Sequence, residues 1–189
     1  MKKINLLLIA FLLINTYYAS SQTFNKGNGV LNLTIGFGNG LNYGYTPTSS
    51  SPAFAASYEV GVADNIIDKG SIGVGGYFGY ASSKYEYNSG GYSWGYKYSN
   101  IVIGPRGSFH YPFVDKLDTY AGLMIAYNIV TSKETGNFPS VGTYTGSNSD
   151  VITAGFIGAR YYFNEKVAGV AELGWGVAYF NIGVAFKLK

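Results

Sequence analysis

Residues 91–95 read Gly-Tyr-Ser-Trp-Gly, which matches the G-x-S-x-G motif that exposes a nucleophilic serine on a strand-to-helix turn. The stretch around Ser93 is instead rich in Gly, Ser and Tyr, and no helical pattern follows it. The single histidine, His110, comes 17 residues later, which is about 56 Å along one continuous strand, whereas a serine–histidine pair needs roughly 3 Å. We therefore predict that Ser93 is not catalytic, that the protein is not an enzyme, and that His110 is an interfacial or turn-capping residue.

The sequence contains few side chains that could bind a metal ion or a cofactor. The sequence has one His and no Cys, and its carboxylates are scattered over segments that read as turns. The glycines do not complete a dinucleotide-binding or phosphate-loop pattern. We predict no catalytic residue, no metal site and no cofactor.

Four charged residues, Glu59, Arg106, Arg160 and Glu172, stand at strand-like spacing among apolar neighbours. Two acids and two bases neutralise one another in an enclosed space, where an unpaired charge is very costly. We expect an ion-pair network that plugs a lumen and fixes strand register. The alternative is a small channel in which these charges line a gated ion path. Either role requires strands that enclose an interior.

The composition indicates a surface that does not face water. Charged residues make up 12% of the chain, about half the usual share, whereas aromatic residues make up 17% and glycines number 27. A lipid-facing surface needs few charges, and a membrane interface favours Tyr and Trp. The formal net charge is +3, of which Lys2 and Lys3 contribute two, so no basic face for nucleic acid is expected.

The first 21 residues predict an export signal. Lys2 and Lys3 precede a short apolar run over residues 4–14, and a polar stretch follows that ends in the small residues Ala-Ser-Ser at 19–21. About eleven apolar residues are too few for a membrane-spanning helix, which takes about 20. We expect cleavage after Ser21, which divides the chain into a signal peptide, 1–21, and one exported domain, 22–189.

The exported domain contains eight segments in which apolar and polar residues alternate with the period of a β-strand. The polar face holds Gly, Ser, Asn and the four charges. This pattern predicts an all-β fold, an eight-stranded antiparallel up-and-down transmembrane β-barrel. A soluble exported β-sandwich is the alternative, and it would carry Lys and Glu on its outer face. The apolar face includes Leu31, Leu33, Ile35, Phe37, Phe54, Tyr58, Val62, Ile72, Val74, Phe78, Ile101, Ile103, Phe109, Leu117, Leu123, Ile125 and Ile129.

The predicted connections alternate in length, which sets the orientation of a barrel. Short turns face the periplasm in such proteins and long loops face outward, so both chain ends would lie in the periplasm. Pro105 falls inside the fourth segment, and we expect a bulge there because proline cannot donate to a strand ladder. The long connections are 40–51, 83–95 and 132–149, and the short ones are 64–70, 112–116 and 164–166.

Three stretches carry a resemblance to a known family: Gly-Ala-Arg-Tyr-Tyr-Phe at 158–163, Val-Ala-Glu-Leu-Gly-Trp at 170–175 and Ile-Gly-Val-Ala-Phe at 182–186. The exported domain resembles the outer membrane β-barrel domain family, the small eight-stranded barrels of the OmpA and OmpX type. The resemblance implies location in the outer membrane, with membrane lipid and the barrel assembly machinery as partners. Some barrels of this size are lipid-modifying enzymes, and that alternative needs a Ser–His–acid cluster near the outer rim.

Aromatic residues are concentrated in the predicted outer connections. Tyr85, Tyr92, Trp94 and Tyr96 lie in the segment 83–95 or next to it. We interpret them, with Tyr98, as the outer aromatic girdle of the barrel. The alternative is a surface that binds an unidentified ligand, since Tyr among Ser, Gly and Asn is typical of adaptable binding loops.

Overall fold

The computed structural model describes residues 23–41, 46–136 and 145–188, so the predicted signal peptide, 1–21, lies outside the described part. The described residues form strands and turns and contain no helix, hence no helix long and apolar enough to cross a membrane. The strands are β1 (Gly29–Asn39), β2 (Ser49–Ser50), β3 (Ala53–Ile66), β4 (Gly70–Ser89), β5 (Tyr92–Val114), β6 (Leu117–Gly136), β7 (Thr145–Tyr162), β8 (Val167–Trp175) and β9 (Ala178–Lys187).

The eight long strands form one sheet that closes on itself. Each strand pairs antiparallel with both of its neighbours in the order β4-β3-β1-β9-β8-β7-β6-β5, and β4 and β5 pair to complete the ring. The two-residue strand β2 adds to the edge of β4. The prediction of an eight-stranded antiparallel barrel is confirmed. The sandwich alternative is wrong, because two stacked sheets would leave open edges where this sheet has a continuous ladder.

The predicted alternation of faces is also confirmed. Large apolar side chains point outward and remain exposed, for example Leu123 at 68% and Ile125 at 60%, while charged and amide side chains such as Glu59, Asn100 and Asn128 point inward and are buried. In water-soluble barrels the outer surface is polar and apolar side chains fill the core. This barrel therefore presents an apolar exterior and encloses its charged and amide side chains, which suits a hydrocarbon surrounding.

Strand β5 runs through Pro105 without the predicted bulge. Pro105 pairs with Gly76 of β4, and the pairing with β6 has the same register at Ile103 as at Arg106. Only the partners of Gly104 and Pro105 on β6 drop out of the ladder, because proline has no N–H to donate. The irregularity of β5 lies instead between Tyr111 and Val114, beside the next turn.

The outer ends of the strands differ greatly in length. The predicted long loop 83–95 is wrong, because β4 and β5 extend through it to a two-residue turn at Gly90 and Gly91, both with positive φ. Such turns match the twist of a hairpin. Strands β8 and β9 turn back much earlier, at Gly176 and Val177, so the pairing of β7 with β8 ends at Gly155. The outer segments of β4, β5, β6 and β7 therefore project as a separate wall, here called the projecting sheet.

Candidate functional site

The barrel interior holds the four charges singled out from the sequence. Glu59 lies on β3, Arg106 on β5, Arg160 on β7 and Glu172 on β8, and each is at most 6% exposed. The structure brings them together as two pairs. The Arg160 Nη2 atom lies 2.8 Å from Glu59 Oε2, and the Arg106 Nη2 atom lies 2.7 Å from Glu172 Oε1.

Arg160 has further partners that the sequence-based prediction missed. Its Nη1 donates to Asp118 Oδ2 at 2.9 Å, and its Nε donates to Asn32 Oδ1 at 3.0 Å. With Glu59 this satisfies all three nitrogens of the guanidinium, which is the condition for keeping a charge buried. Asp118 and Asn32 alternate with apolar residues in the sequence, which predicts that both point inward. Their contact with Arg160 could not be predicted, because it depends on the positions of strands that are far apart along the chain.

His110 is not the interfacial or turn-capping residue that we predicted. It is fully buried, with Nδ1 2.8 Å from Asp118 Oδ1 and Nε2 3.0 Å from Ser108 Oγ. Nε2 also lies 3.3 Å from Glu59 Oε1. The reason is that alternate residues of a strand share one face, so Ser108 and His110 of β5 point inward together with Arg106. The interior cluster thus contains three carboxylates, two guanidinium groups and one imidazole.

Ser108, His110 and Asp118 have the hydrogen-bond order of a catalytic triad, but their surroundings do not suit catalysis. The Ser108 hydroxyl donates its hydrogen bond to the Glu59 carboxylate, so its proton is directed away from His110. Ser108 is 5% exposed and His110 is 0% exposed, so a substrate carbonyl cannot approach the oxygen. Ser93, the serine of the sequence motif, lies at the opposite end of β5 from His110. Among the described residues no group of His, Asp or Glu side chains is arranged to hold a metal ion.

The chain before β1 packs against this cluster at one end of the barrel. Phe24 is 2% exposed and stacks on the His110 ring at 4.1 Å, with the Arg160 guanidinium 5.8 Å from its centroid. Its carbonyl accepts a hydrogen bond from Ser71 Oγ at 2.8 Å. Gly27 and Asn28 pair with the backbone of Gly61 next to the barrel wall. The segment 23–28 therefore forms a strap that inserts one aromatic ring over the polar cluster.

Apolar side chains line the other half of the lumen. The Arg106 guanidinium lies 3.9 Å from the centroid of the Phe156 ring, and a cavity of about 30 Å³ lies beside the Arg106–Glu172 pair. Beyond it lies a cluster of buried apolar residues. These are Leu41, Ala53, Ala81, Val102, Met124, Ala126, Ala154, Val177 and Ala178.

The aromatic residues of the projecting sheet do not form an outer girdle. Tyr85, Tyr92, Trp94 and Tyr96 lie on strands β4 and β5, and the unbroken register from Arg106 outward gives them the phase of the lumen. They therefore line the concave side of the wall. Tyr87 stacks on Trp94 with centroids 4.7 Å apart, and Tyr85 meets Tyr98 edge to face at 5.6 Å. The sequence-based interpretation failed because these residues were assigned to a loop, in which face alternation has no meaning.

Comparison with known proteins finds likeness in structure alone. No protein-family model matches the sequence, and no curated protein matches it. The N-terminal β-barrel domain of Pseudomonas aeruginosa OprF is 14% identical, with 86% of this chain and 98% of that chain covered and a TM-score of 0.47. Ail, the attachment invasion locus protein of Yersinia pestis, is 12% identical, with 86% and 98% covered and a TM-score of 0.46. Ail in complex with the heparin analogue sucrose octasulfate gives 12% identity, 85% and 95% coverage and a TM-score of 0.42. These likenesses concern the fold alone.

Proposed function

We propose that this chain is an outer-membrane β-barrel protein with a plugged lumen, which contributes to envelope integrity and contacts a ligand at the cell surface. The observation that carries the proposal is the polarity of the barrel wall. Large apolar side chains face outward around the ring, while Glu59, Arg160 and Asp118 are fully buried inside. Exposing so much apolar surface to water is unfavourable, whereas hydrocarbon accommodates it.

The signal peptide and the strap fit one orientation. Cleavage after Ser21 would leave the mature chain starting at Gln22, two residues before Phe24, whose ring then enters the barrel from the periplasmic end. The turns Ile67–Lys69 and Asp115–Lys116 lie at that same end and are short, as periplasmic turns are. Membrane lipid is then the permanent partner, and the barrel assembly machinery is the partner during insertion.

The interior supports a structural role better than a conducting one. The ion pairs and Phe24 occupy one half of the lumen, and apolar side chains occupy the other. An eight-stranded barrel is just wide enough for side chains to fill. We infer that the charge network holds strands β3, β5, β6, β7 and β8 in register and that ions do not pass at a physiological rate.

The surface role falls to the projecting sheet. Tyr87, Tyr92 and Trp94 are each more than 40% exposed on its concave side. Tyr and Trp offer rigid contact area at low entropic cost and are enriched where proteins bind partners. The supporting test measures binding of the protein to host or neighbouring-cell surfaces. The site variant has Tyr87 and Trp94 replaced by Ser. The matched control has Tyr127 and Tyr161, which lie on the lipid-facing wall, replaced in the same way.

The membrane placement is tested by heat modifiability. We expect the protein from isolated outer membranes to migrate faster on a detergent gel when unboiled than after boiling, because a closed barrel resists the detergent. A water-soluble periplasmic fraction from the same cells is the control. Protein found in that fraction, with one mobility before and after boiling, would show that the proposal is wrong.

A further inference from the structure

Three lysines form one row across the outward face of the projecting sheet. Lys84 of β4 pairs with Lys97 of β5, and Lys97 pairs with Lys133 of β6. All three have the phase of the lipid-facing wall. Side chains at directly opposite positions on neighbouring strands have Cβ atoms about 5 Å apart, so the three lysines stand side by side across three strands.

The row stands at the end of a graded surface. Two residues closer to the barrel, the same strands carry hydroxyl groups that are in register with one another, those of Ser82, Ser99 and Thr131. Two residues closer still, the strands carry Tyr80, Ile101 and Ile129, which belong to the apolar wall. From apolar side chains to lysines the distance along a strand is four residues, about 13 Å. The apolar side chains, the hydroxyl groups and the ammonium groups thus follow one another along the strands as hydrocarbon chains, polar linkages and phosphate groups do from the centre of a lipid leaflet to its surface.

Among the described residues, one carboxylate shares the outward face with the three lysines. It belongs to Glu86, whose Oε1 lies 2.6 Å from Lys84 Nζ. Like charges at directly opposite strand positions destabilise a sheet. An anion shared by the row removes that repulsion, and phosphate accepts hydrogen bonds both from ammonium and from hydroxyl groups.

We propose that the outward face of β4, β5 and β6 is a binding site for the phosphate group of a phosphorylated lipid in the outer leaflet. The proposal rests on the proposed membrane placement. Lys84, Lys97 and Lys133 contact the phosphate, Ser99 and Thr131 donate hydrogen bonds from below, and the acyl chains lie on the apolar wall. A lipid rather than free phosphate is the occupant, because the site continues without a step into the lipid-facing surface.

The test compares lipid retention by the folded barrel in detergent micelles, measured by native mass spectrometry. The probes are lipid A, which is a phosphorylated glycolipid, and uncharged diacylglycerol at the same concentration. The site variant is K84Q/K97Q/K133Q. The matched control is K69Q/K116Q/K166Q, which removes the same charge from the turns at the other end of the barrel. Inorganic phosphate at the same phosphate concentration is a further arm.

We expect the wild-type barrel and the turn variant to retain lipid A over diacylglycerol at least about tenfold, and the row variant to lose that preference. Equal retention by both variants, or displacement of lipid A by an equal concentration of inorganic phosphate, would overturn the proposal. Both variants are checked for the heat-dependent gel shift. If the wild-type protein itself lacks the gel shift, the proposed membrane placement is wrong. If the wild-type protein shows the shift but does not prefer lipid A over diacylglycerol, only the proposed lipid site is wrong.

Discussion

Replacing Arg160 by methionine is expected to lower the free energy of unfolding by about 3–5 kcal/mol. The guanidinium is fully buried and donates to Glu59, Asp118 and Asn32 at 2.8–3.0 Å. Its removal leaves two carboxylates inside the barrel without their main positive partner. The measurement is a urea titration of the folded barrel in micelles, followed by the fraction of fast-migrating protein on unboiled gels.

The R160M/E59M variant separates a lost ion pair from a general packing defect. Removing Glu59 together with Arg160 takes away one of the stranded carboxylates, so the double variant should be more stable than R160M alone. Replacing Lys97, which is exposed on the outer face, by methionine is the control and should change stability by less than about 1 kcal/mol. An R160M barrel as stable as the K97M barrel would contradict the buried network.

Replacing Phe24 by alanine is expected to cost about 3 kcal/mol and to open the barrel at the periplasmic end. The ring is 2% exposed and stacks on His110 at 4.1 Å, so its loss leaves a cavity directly over the polar cluster. Water then reaches Glu59 and Asp118. The measurements are urea stability and the rate at which diethyl pyrocarbonate modifies His110, the single histidine of the chain, which should be faster in the variant than in the wild type.

The control for this variant is Phe113→Ala. Phe113 is 68% exposed near the same end of the barrel, so the substitution removes an identical side chain without touching the lumen. It should leave the rate of His110 modification unchanged and cost much less stability. Equal behaviour of F24A and F113A would show that the strap does not seal the barrel. An unchanged modification rate in F24A together with a stability loss would assign Phe24 a packing role alone.

The network and the strap differ in how far the sequence predicts them. Glu59, Arg106 and Glu172 could be placed inside from strand alternation, because side chains of a strand change face at every residue. The alternation over 151–163 is ambiguous in phase, and only one of its two phases puts Arg160 inside. The same rule places Asp118 and His110 inside, yet their part in the network depends on pairing between β3, β5, β6 and β7. Phe24 precedes the first strand, and no periodic pattern indicates that its ring returns into the lumen.

Alternation of residue types by itself determined that the chain forms strands with one apolar and one polar face, and their even number is what a closed membrane barrel needs. The tertiary structure decided where each strand ends. Residues 83–95 are rich in Gly, Ser and Tyr, which indicates a loop, but pairing of β4 with β5 over their full length makes them a hairpin. That pairing turns Trp94 toward the concave side and Lys97 outward. The physical reason is register: a strand's face is read from its own residues, whereas its length and its neighbours depend on backbone hydrogen bonds made with distant parts of the chain.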